Sequence, residues 1–460
     1  MTIQNALPYN RGSAFYYQKF ETFIINYLTE DDGMHQKKAL SRNAQYLLIL
    51  LTPIYFIAIG LLVQPFPEII DGIIAIIKEP DFLITDYVAV GGVGATLINA
   101  SLVMIFGMIL MYFSGNAITG GSFAGLGLLL GFAMFGKNIA NVWPIFFGTY
   151  LYSKFNKEPH SKNVYFSFYG TALAPIVTAT AQIEAFSFPV RIVCAILVGI
   201  LIGFAMPPIC GRVFAAHKGY SLYNGGFTAG IIATIIMSVY KCFGFEFASR
   251  KVWATGYNDL FVKIMVPYCI ALIIGGIIID KDAFKRFRKL LTYPGVGGSD
   301  FVAFEGFGGT LVNMGAVGLF STFYLCLVGA DLNGASVGGI ITVIGFGAAG
   351  KHLKNIPPIM IGITIASLSP TWSIRDPGPV LALMFGTTLA PMAGEFGFFG
   401  GLLTGFIHAG VVQNVGAVYS GMNLYNNGFS GGLVATFLTS LFFAVRERNA
   451  RLKASKEANQ

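Results

Sequence analysis

Long apolar runs separated by short polar breaks set the character of this chain. Fourteen of them, at 44–63, 96–114, 119–136, 139–153, 164–181, 188–209, 221–240, 258–279, 310–328, 333–350, 355–369, 379–393, 397–413 and 424–445, are predicted as helices. The longer ones can cross a hydrocarbon core of about 30 Å at about 1.5 Å per residue. Lipid offers no partner to exposed backbone groups, so runs in this number predict a bundle of spanning helices. Several, such as 139–153 and 355–369, are short for a crossing, which leaves re-entrant segments open.

The pattern is written twice. Residues 86–148 align with residues 300–362 without a gap, 214 positions on, and 22 of the 63 positions are identical. The identities include polar residues that apolar filler would not supply: Asp86/Asp300, Asn99/Asn313, Lys137/Lys351 and Asn141/Asn355. Farther on, 169–175 (YGTALAP) matches 385–391 (FGTTLAP), and 219–227 (GYSLYNGGF) matches 421–429 (GMNLYNNGF). Between these two blocks the offset falls from 216 to 202, so the second copy lacks about a loop's worth of residues around its sixth segment. A duplication at this scale in an apolar chain points to a repeat-built membrane architecture.

Charge decides how the copies are oriented. Each holds about seven crossings, and an odd number makes the second copy enter from the opposite side. With the N-terminus in the cytoplasm, 22 Lys and Arg fall inside and 8 outside, the direction of the positive-inside rule. The loop before Asp86 is acidic (Asp71, Glu79, Asp81) and the loop before Asp300 is basic (KDAFKRFRKL), which gives inversion independently. The expected fold is therefore all-α: a polytopic membrane protein of about 14 transmembrane segments built from two inverted repeats of about seven. Its parts are a cytoplasmic segment 1–43, repeat 1 at 44–240, an extracytoplasmic linker 241–257, repeat 2 at 258–445, and a basic cytoplasmic tail 446–460 read as disordered.

Composition narrows the classes. The chain is 55% hydrophobic and 11% charged, against about 25% charge in soluble domains. The net charge of +8 sits in short loops and at the ends, which argues for membrane orientation and against nucleic acid. The five cysteines form no CxxC or Cys/His cluster, so neither a metal site nor a disulfide framework is expected. No GxxxxGK[ST], GxGxxG or HExxH motif occurs, no catalytic constellation stands out, and no cofactor is expected.

The candidate chemistry lies in paired polar residues inside apolar sequence. Burying such groups in lipid is costly, so they normally face a cavity or a partner. Tyr223, Asn224, Tyr425 and Asn426 occupy matching positions, and an amide offers both donors and acceptors to a solute. The stretches 115–122 and 329–336 supply Thr119, Ser122, Asn333 and Ser336 ahead of Gly-rich helices whose N-termini suit an anion or a carbonyl. Asp86 and Asp300, with the symmetry-breaking Glu305 and Asp331, are candidates to couple Na⁺ or H⁺; interfacial helix caps are the plain alternative for the two paired Asp. Lys137 and Lys351 read as lysines that end helices and snorkel to the surface, with attraction of an anion as the alternative. Glu395 and His408 could form a proton relay.

On the repeat and its Gly-Lys and YNxGF motifs, the chain from about 44 to 445 resembles a bacterial family of internally duplicated multi-pass membrane proteins of unknown function. The resemblance implies a cytoplasmic (inner) membrane location and no substrate. Seven plus seven also looks like the inverted-repeat architecture of nucleobase and anion transporters, and more weakly like urea channels, though no signature residue of either transfers. The expected function is an ion-coupled secondary transporter of a small polar or anionic solute, not an enzyme. A passive channel for a neutral solute and a non-transport membrane component are the alternatives. Expected partners are the lipid bilayer and the solute, with self-association left open.

Overall fold

Short caps and glycine corners delimit helices that the apolar pattern already outlines. The computed structural model describes residues 40–247 and 250–458, so most of the segment 1–43 lies outside the described residues. In chain order the helices are α1 (Arg42–Val63), α2 (Phe66–Lys78), α3 (Tyr87–Phe113), α4 (Gly120–Phe132), α5 (Ile139–Phe155), α6 (Val164–Ala181, with a tight turn at Thr171–Leu173), α7 (Phe188–His217) and α8 (Asn224–Cys242). The second half holds α9 (Asn258–Ile279), α10 (Ala283–Leu290), α11 (Phe301–Leu327), α12 (Gly334–Phe346), α13 (Ile356–Ala366), α14 (Pro377–Phe385), α15 (Ala390–Val415) and α16 (Asn426–Ala458). Among the described residues, nine helices are long and apolar enough to cross a membrane, and three shorter apolar ones accompany them.

All fourteen expected segments are helical, most within a few residues of their expected ends. One of the nine long spans, Pro377–Tyr419, is two segments, because Gly397 at φ 75°, ψ −173° turns the chain sharply. Repeat 1 needs residues 182–187 to pass from α6 to α7; repeat 2 makes the turn at one glycine. That is where the offset drops. The same extended, positive-φ backbone, open essentially only to glycine, recurs at Gly92 in α3 and Gly306 in α11.

Two helices were not expected, α2 and α10, which occupy matching places in the repeats. Their carboxylates and basic residues read as loop in the sequence, but tertiary packing holds both. Gly72 of α2 lies against the Gly91 carbonyl, and Arg286 of α10 packs on Gly309. The tail is also corrected. α16 continues to Ala458, since 446–458 is rich in strong helix formers and carries the i,i+4 pairs Glu447–Arg451 and Lys453–Glu457.

The repeats are inverted with respect to each other. In the α4–α12 pair, Gly127 lies against Gly345, and one turn later Gly131 lies against Gly338. The partner number falls as the helix number rises, so these equivalent helices run antiparallel. The two-fold axis relating the copies therefore crosses them at right angles. Small residues let the backbones approach closely there. One end of the bundle gathers Asn116, Ser161, Gly120, Asp300 and Gly297; the other gathers Asp86, Ala254, Gly334 and Asp331. α3 starts at the second end and α11 at the first, as inversion requires.

Large apolar side chains remain exposed along the outer helices, among them Leu62 at 80%, Ile278 at 77% and Phe399 at 81%. Water would not tolerate so many on one molecule, and lipid is the solvent that suits them.

Candidate functional site

The paired polar residues of the sequence assemble mainly at two buried loops. Residues 133–138 join α4 to α5, and residues 347–355 join α12 to α13. The first is buried throughout, the second except at Ala349, Leu353 and Lys354. Each loop hangs on an asparagine from the preceding long helix. Asn99 Nδ2 donates to the carbonyls of Ala133 (2.8 Å) and Lys137 (2.9 Å), and Asn313 Nδ2 to those of Gly347 (2.6 Å) and Lys351 (2.8 Å). Asn141 and Asn355 accept from the backbone N–H of Asn138 and His352, closing each loop onto its next helix. A buried loop must satisfy its backbone, and these amides do it twice over.

Each loop carries a lysine inward. Lys137 and Lys351 are both 0% exposed, which corrects the snorkelling expectation: the asparagine anchors hold the backbone too deep for the stems to reach solvent. Among the described residues, no carboxylate pairs with either ammonium. Instead they stand at the two ends of a row of aromatic rings. Phe132 stacks on Tyr425 (4.8 Å between centroids), Tyr425 meets Tyr223 edge-on (4.9 Å), and Tyr223 meets Phe346 (4.6 Å). Lys137 Nζ is 4.9 Å from the Phe132 ring, and Lys351 Nζ lies 5.1 Å from Phe346 and 4.4 Å over Tyr223. The residues of the row exchange under the repeat symmetry, with the axis between Tyr223 and Tyr425, although Phe132 stacks on its tyrosine and Phe346 meets its own edge-on.

The helices bearing the tyrosines meet on that axis. A methyl group at Gly226 would fall 2.8 Å from the Gly428 Cα, while Phe429 covers Gly230 and Phe227 covers Gly432. Leu222 N donates to Thr388 O (2.9 Å) and Leu424 N to Ala172 O (3.1 Å), so each YNxGF start is bonded to the other repeat.

The remaining sequence candidates are accounted for as follows. Tyr223 and Tyr425 lie in the row. Asn224 uses its amide on His217 Nε2 (3.0 Å) and Cys210 O (3.0 Å); Asn426 uses its own on Tyr419 OH and Val412 O (2.9 Å). Both tie a helix start to the helix before it. Thr119 with Ser122, and Asn333 with Ser336, form capping boxes at the starts of α4 and α12. Those starts abut the lysine loops of the opposite repeat, Gly120 against Ala348 and Gly334 against Met134. So the loops that join the tyrosines are the Gly-Lys loops, with the 115–122 and 329–336 loops behind them.

Asp86 caps α3, accepting from Val88 N (3.0 Å), and also accepts from Gly334 N (3.1 Å) and Ala254 N (3.1 Å). Asp300 does the mirror task, accepting from Ala303 N (3.1 Å) and Gly120 N (2.9 Å). Each carboxylate thus joins helix N-termini of both repeats, where the dipoles favour an anion. Glu305, 2% exposed, accepts from Tyr293 OH (2.6 Å) and pairs with Lys289 (3.2 Å); Asp331 accepts from Trp253 Nε1 (3.2 Å). Glu395 pairs with Arg446 (2.7 Å), and buried His408 bonds Asn427 (3.0 Å), so the structure does not join them into a relay.

One acidic residue escaped sequence reasoning. Asp81 is 1% exposed and accepts from Tyr87 OH (2.7 Å), Asn141 Nδ2 (3.0 Å) and Thr178 Oγ1 (3.0 Å). It lies on the wall of a cavity of about 420 Å³, together with Phe82, Gln182, Glu184 and Glu246. Through Asn141 and Asn138 that wall adjoins the Lys137 loop. Nothing in its local sequence separates Asp81 from a solvated loop acid. For the lysines a signal did exist: a duplicated Gly-Lys inside the best-aligned block, at a fixed spacing from a duplicated Asn.

A helical, internally duplicated membrane protein with a polar centre on its symmetry axis is the class these features define. The chain matches the family model described as protein of unknown function (DUF1576) over residues 66–242 and 279–444, and it belongs to that family. Shifted by the repeat offsets of 214 at its start and 202 at its end, the first stretch lands within a residue of the second. No curated protein and no solved structure matches the chain.

Proposed function

We propose that this protein is an ion-coupled secondary transporter of a small anionic solute, working by alternating access between its inverted repeats. The observation that carries the reading is the pair of fully buried lysines, without carboxylate partners, at the two ends of an aromatic row on the two-fold axis. Burying an uncompensated ammonium is expensive, and chains rarely retain two unless something negative visits them. Inverted repeats supply the other half of the argument, because the same mechanics can face either side. The step from symmetry to transport is an analogy of architecture.

Asp81, beside the cavity and one hydrogen-bond chain from the Lys137 loop, is the carboxylate best suited to couple H⁺ or Na⁺. Glu305, which stands where repeat 1 has Gly91, is a buried carboxylate of repeat 2 without an equivalent in repeat 1. The reading needs no enzyme chemistry and no resident cofactor. It puts the protein in the cytoplasmic membrane, both termini on the side of the basic loops.

The test is uptake of small anions by proteoliposomes under an imposed H⁺ or Na⁺ gradient. Saturable, gradient-driven accumulation is expected. Asp81→Asn should leave exchange but abolish accumulation. Equal flux with and without gradients sinks the coupling, and flux that fails to saturate favours a channel.

A further inference from the structure

The two ends of the aromatic row hold the same residues in different states. In repeat-2 numbering the set is Lys351, Phe346 and Thr387, completed by Tyr223 of repeat 1. Its image is Lys137, Phe132 and Thr171, completed by Tyr425. The first set is closed. Lys351 Nζ donates to Tyr223 OH (2.5 Å) and to Thr387 Oγ1 (2.7 Å). The second is open. Lys137 Nζ and Tyr425 OH are both buried, and among the described residues neither has a hydrogen-bond partner. The threonines do not cause this difference: Thr171 Oγ1 donates to Phe168 O (2.7 Å) just as Thr387 Oγ1 donates to Met384 O (2.5 Å). Each keeps a lone pair, and only Thr387 receives a lysine.

Unpartnered buried donors cost about 1–3 kcal/mol each, more for an ammonium. Two of them beside one ring stack call for an acceptor. An ammonium with three donors and a phenol with one match a planar group that carries a single negative charge and several oxygen lone pairs. A dianion would face one ammonium, because Lys351 lies at the far end of the ring row.

We infer that Lys137 Nζ and Tyr425 OH bind the anionic head of the solute, a planar oxygen monoanion of the carboxylate or nitrate type, and that the Lys351–Tyr223–Thr387 set is the same site held shut. This rests on the transport reading for its biological meaning, but binding can be measured without transport. The wall of the Asp81 cavity is hydrogen-bonded to the Lys137 loop through Asn141 and Asn138.

The experiment uses the purified full chain in detergent. Its unfolding temperature is followed as formate, acetate or nitrate replaces chloride at constant ionic strength, with sulfate as the dianion control. A saturable rise is expected with a planar monoanion and none with sulfate. A response to formate and acetate alone assigns a carboxylate solute; a response to nitrate alone assigns an inorganic oxyanion. Tyr425→Phe removes only a hydroxyl without a partner, so it should fold normally and weaken half-saturation by tenfold or more. Lys137→Gln should abolish the rise. No rise with any planar monoanion, or a rise undiminished in both Lys137→Gln and Tyr425→Phe, overturns the site. Uptake assays on the same proteins separate the two ideas. Binding without uptake removes the transporter and leaves the site, whereas uptake untouched by Lys137→Gln removes the site and leaves the transporter.

Discussion

The Lys137 and Lys351 ends of the aromatic row make an internal control that the molecule itself provides. Both lysines follow a glycine, hang from an asparagine bonded to two carbonyls and sit beside a phenylalanine at an end of the same ring row. Yet one ammonium has two oxygen partners and the other has none. Composition cannot explain a difference between identical sets. What surrounds them can. Around the Lys137 loop lie Asn138, Asp81 and a cavity, whereas the Lys351 loop carries His352, whose Nε2 is bonded to the Tyr293 carbonyl (2.9 Å). The lesson is that a symmetric frame can hold an asymmetric pair of sites, which is what a two-sided carrier requires at any one moment.

Four measurements press on that contrast. The largest effect is expected in transport: Lys137→Met should reduce anion uptake by at least 100-fold in proteoliposomes. Lys351→Met should reduce it as much if both ends take turns in the cycle, and far less if only the open end binds.

Next is the axis. Gly226→Val or Gly428→Val forces a branched side chain between two touching backbones, and a loss of about 3 kcal/mol or more in unfolding stability is expected. Retention of wild-type stability would mean that the α8–α16 contact gives way more easily than its closeness implies.

The third is thermal stability without added anion. Lys137→Met removes an uncompensated buried amine and should raise the unfolding temperature. Lys351→Met leaves Tyr223 OH without its lysine and should lower it, each by an amount corresponding to about 1–3 kcal/mol. Shifts of the same sign would erase the contrast.

The smallest effect separates the tyrosines. Tyr223→Phe should cost about 1 kcal/mol, whereas Tyr425→Phe should change stability by less than about 0.5 kcal/mol, read by denaturant unfolding in mixed micelles.

Much of the frame is readable along the chain. The α6 and α9 spans match their apolar runs to the residue, because long apolar runs announce themselves by composition. Asp86 and Asp300 announce helix starts through their place before Gly-rich runs, and both do cap. The amphipathic α2 and α10 do not read as helices, since each owes its order to packing on α3 or α11. Asn224 and Asn426 look as available to a solute as any buried amide. Only their tertiary partners Cys210, His217, Val412 and Tyr419 show that their hydrogen bonds are already made.

The sequence by itself determined most of the helices, the duplication and, through an odd crossing count and the charge bias, the opposed orientation of the two copies. These follow from local quantities: apolar length, turn residues and the sign of each loop. Tertiary structure alone decided that the lysines go inward, that Lys351 meets a tyrosine of the other repeat 128 positions away, and that one set closes while its twin stays open. Burial depends on what covers a residue, and long-range partners leave no mark in its neighbours. Two identical sets differ only in conformation, which no residue list encodes.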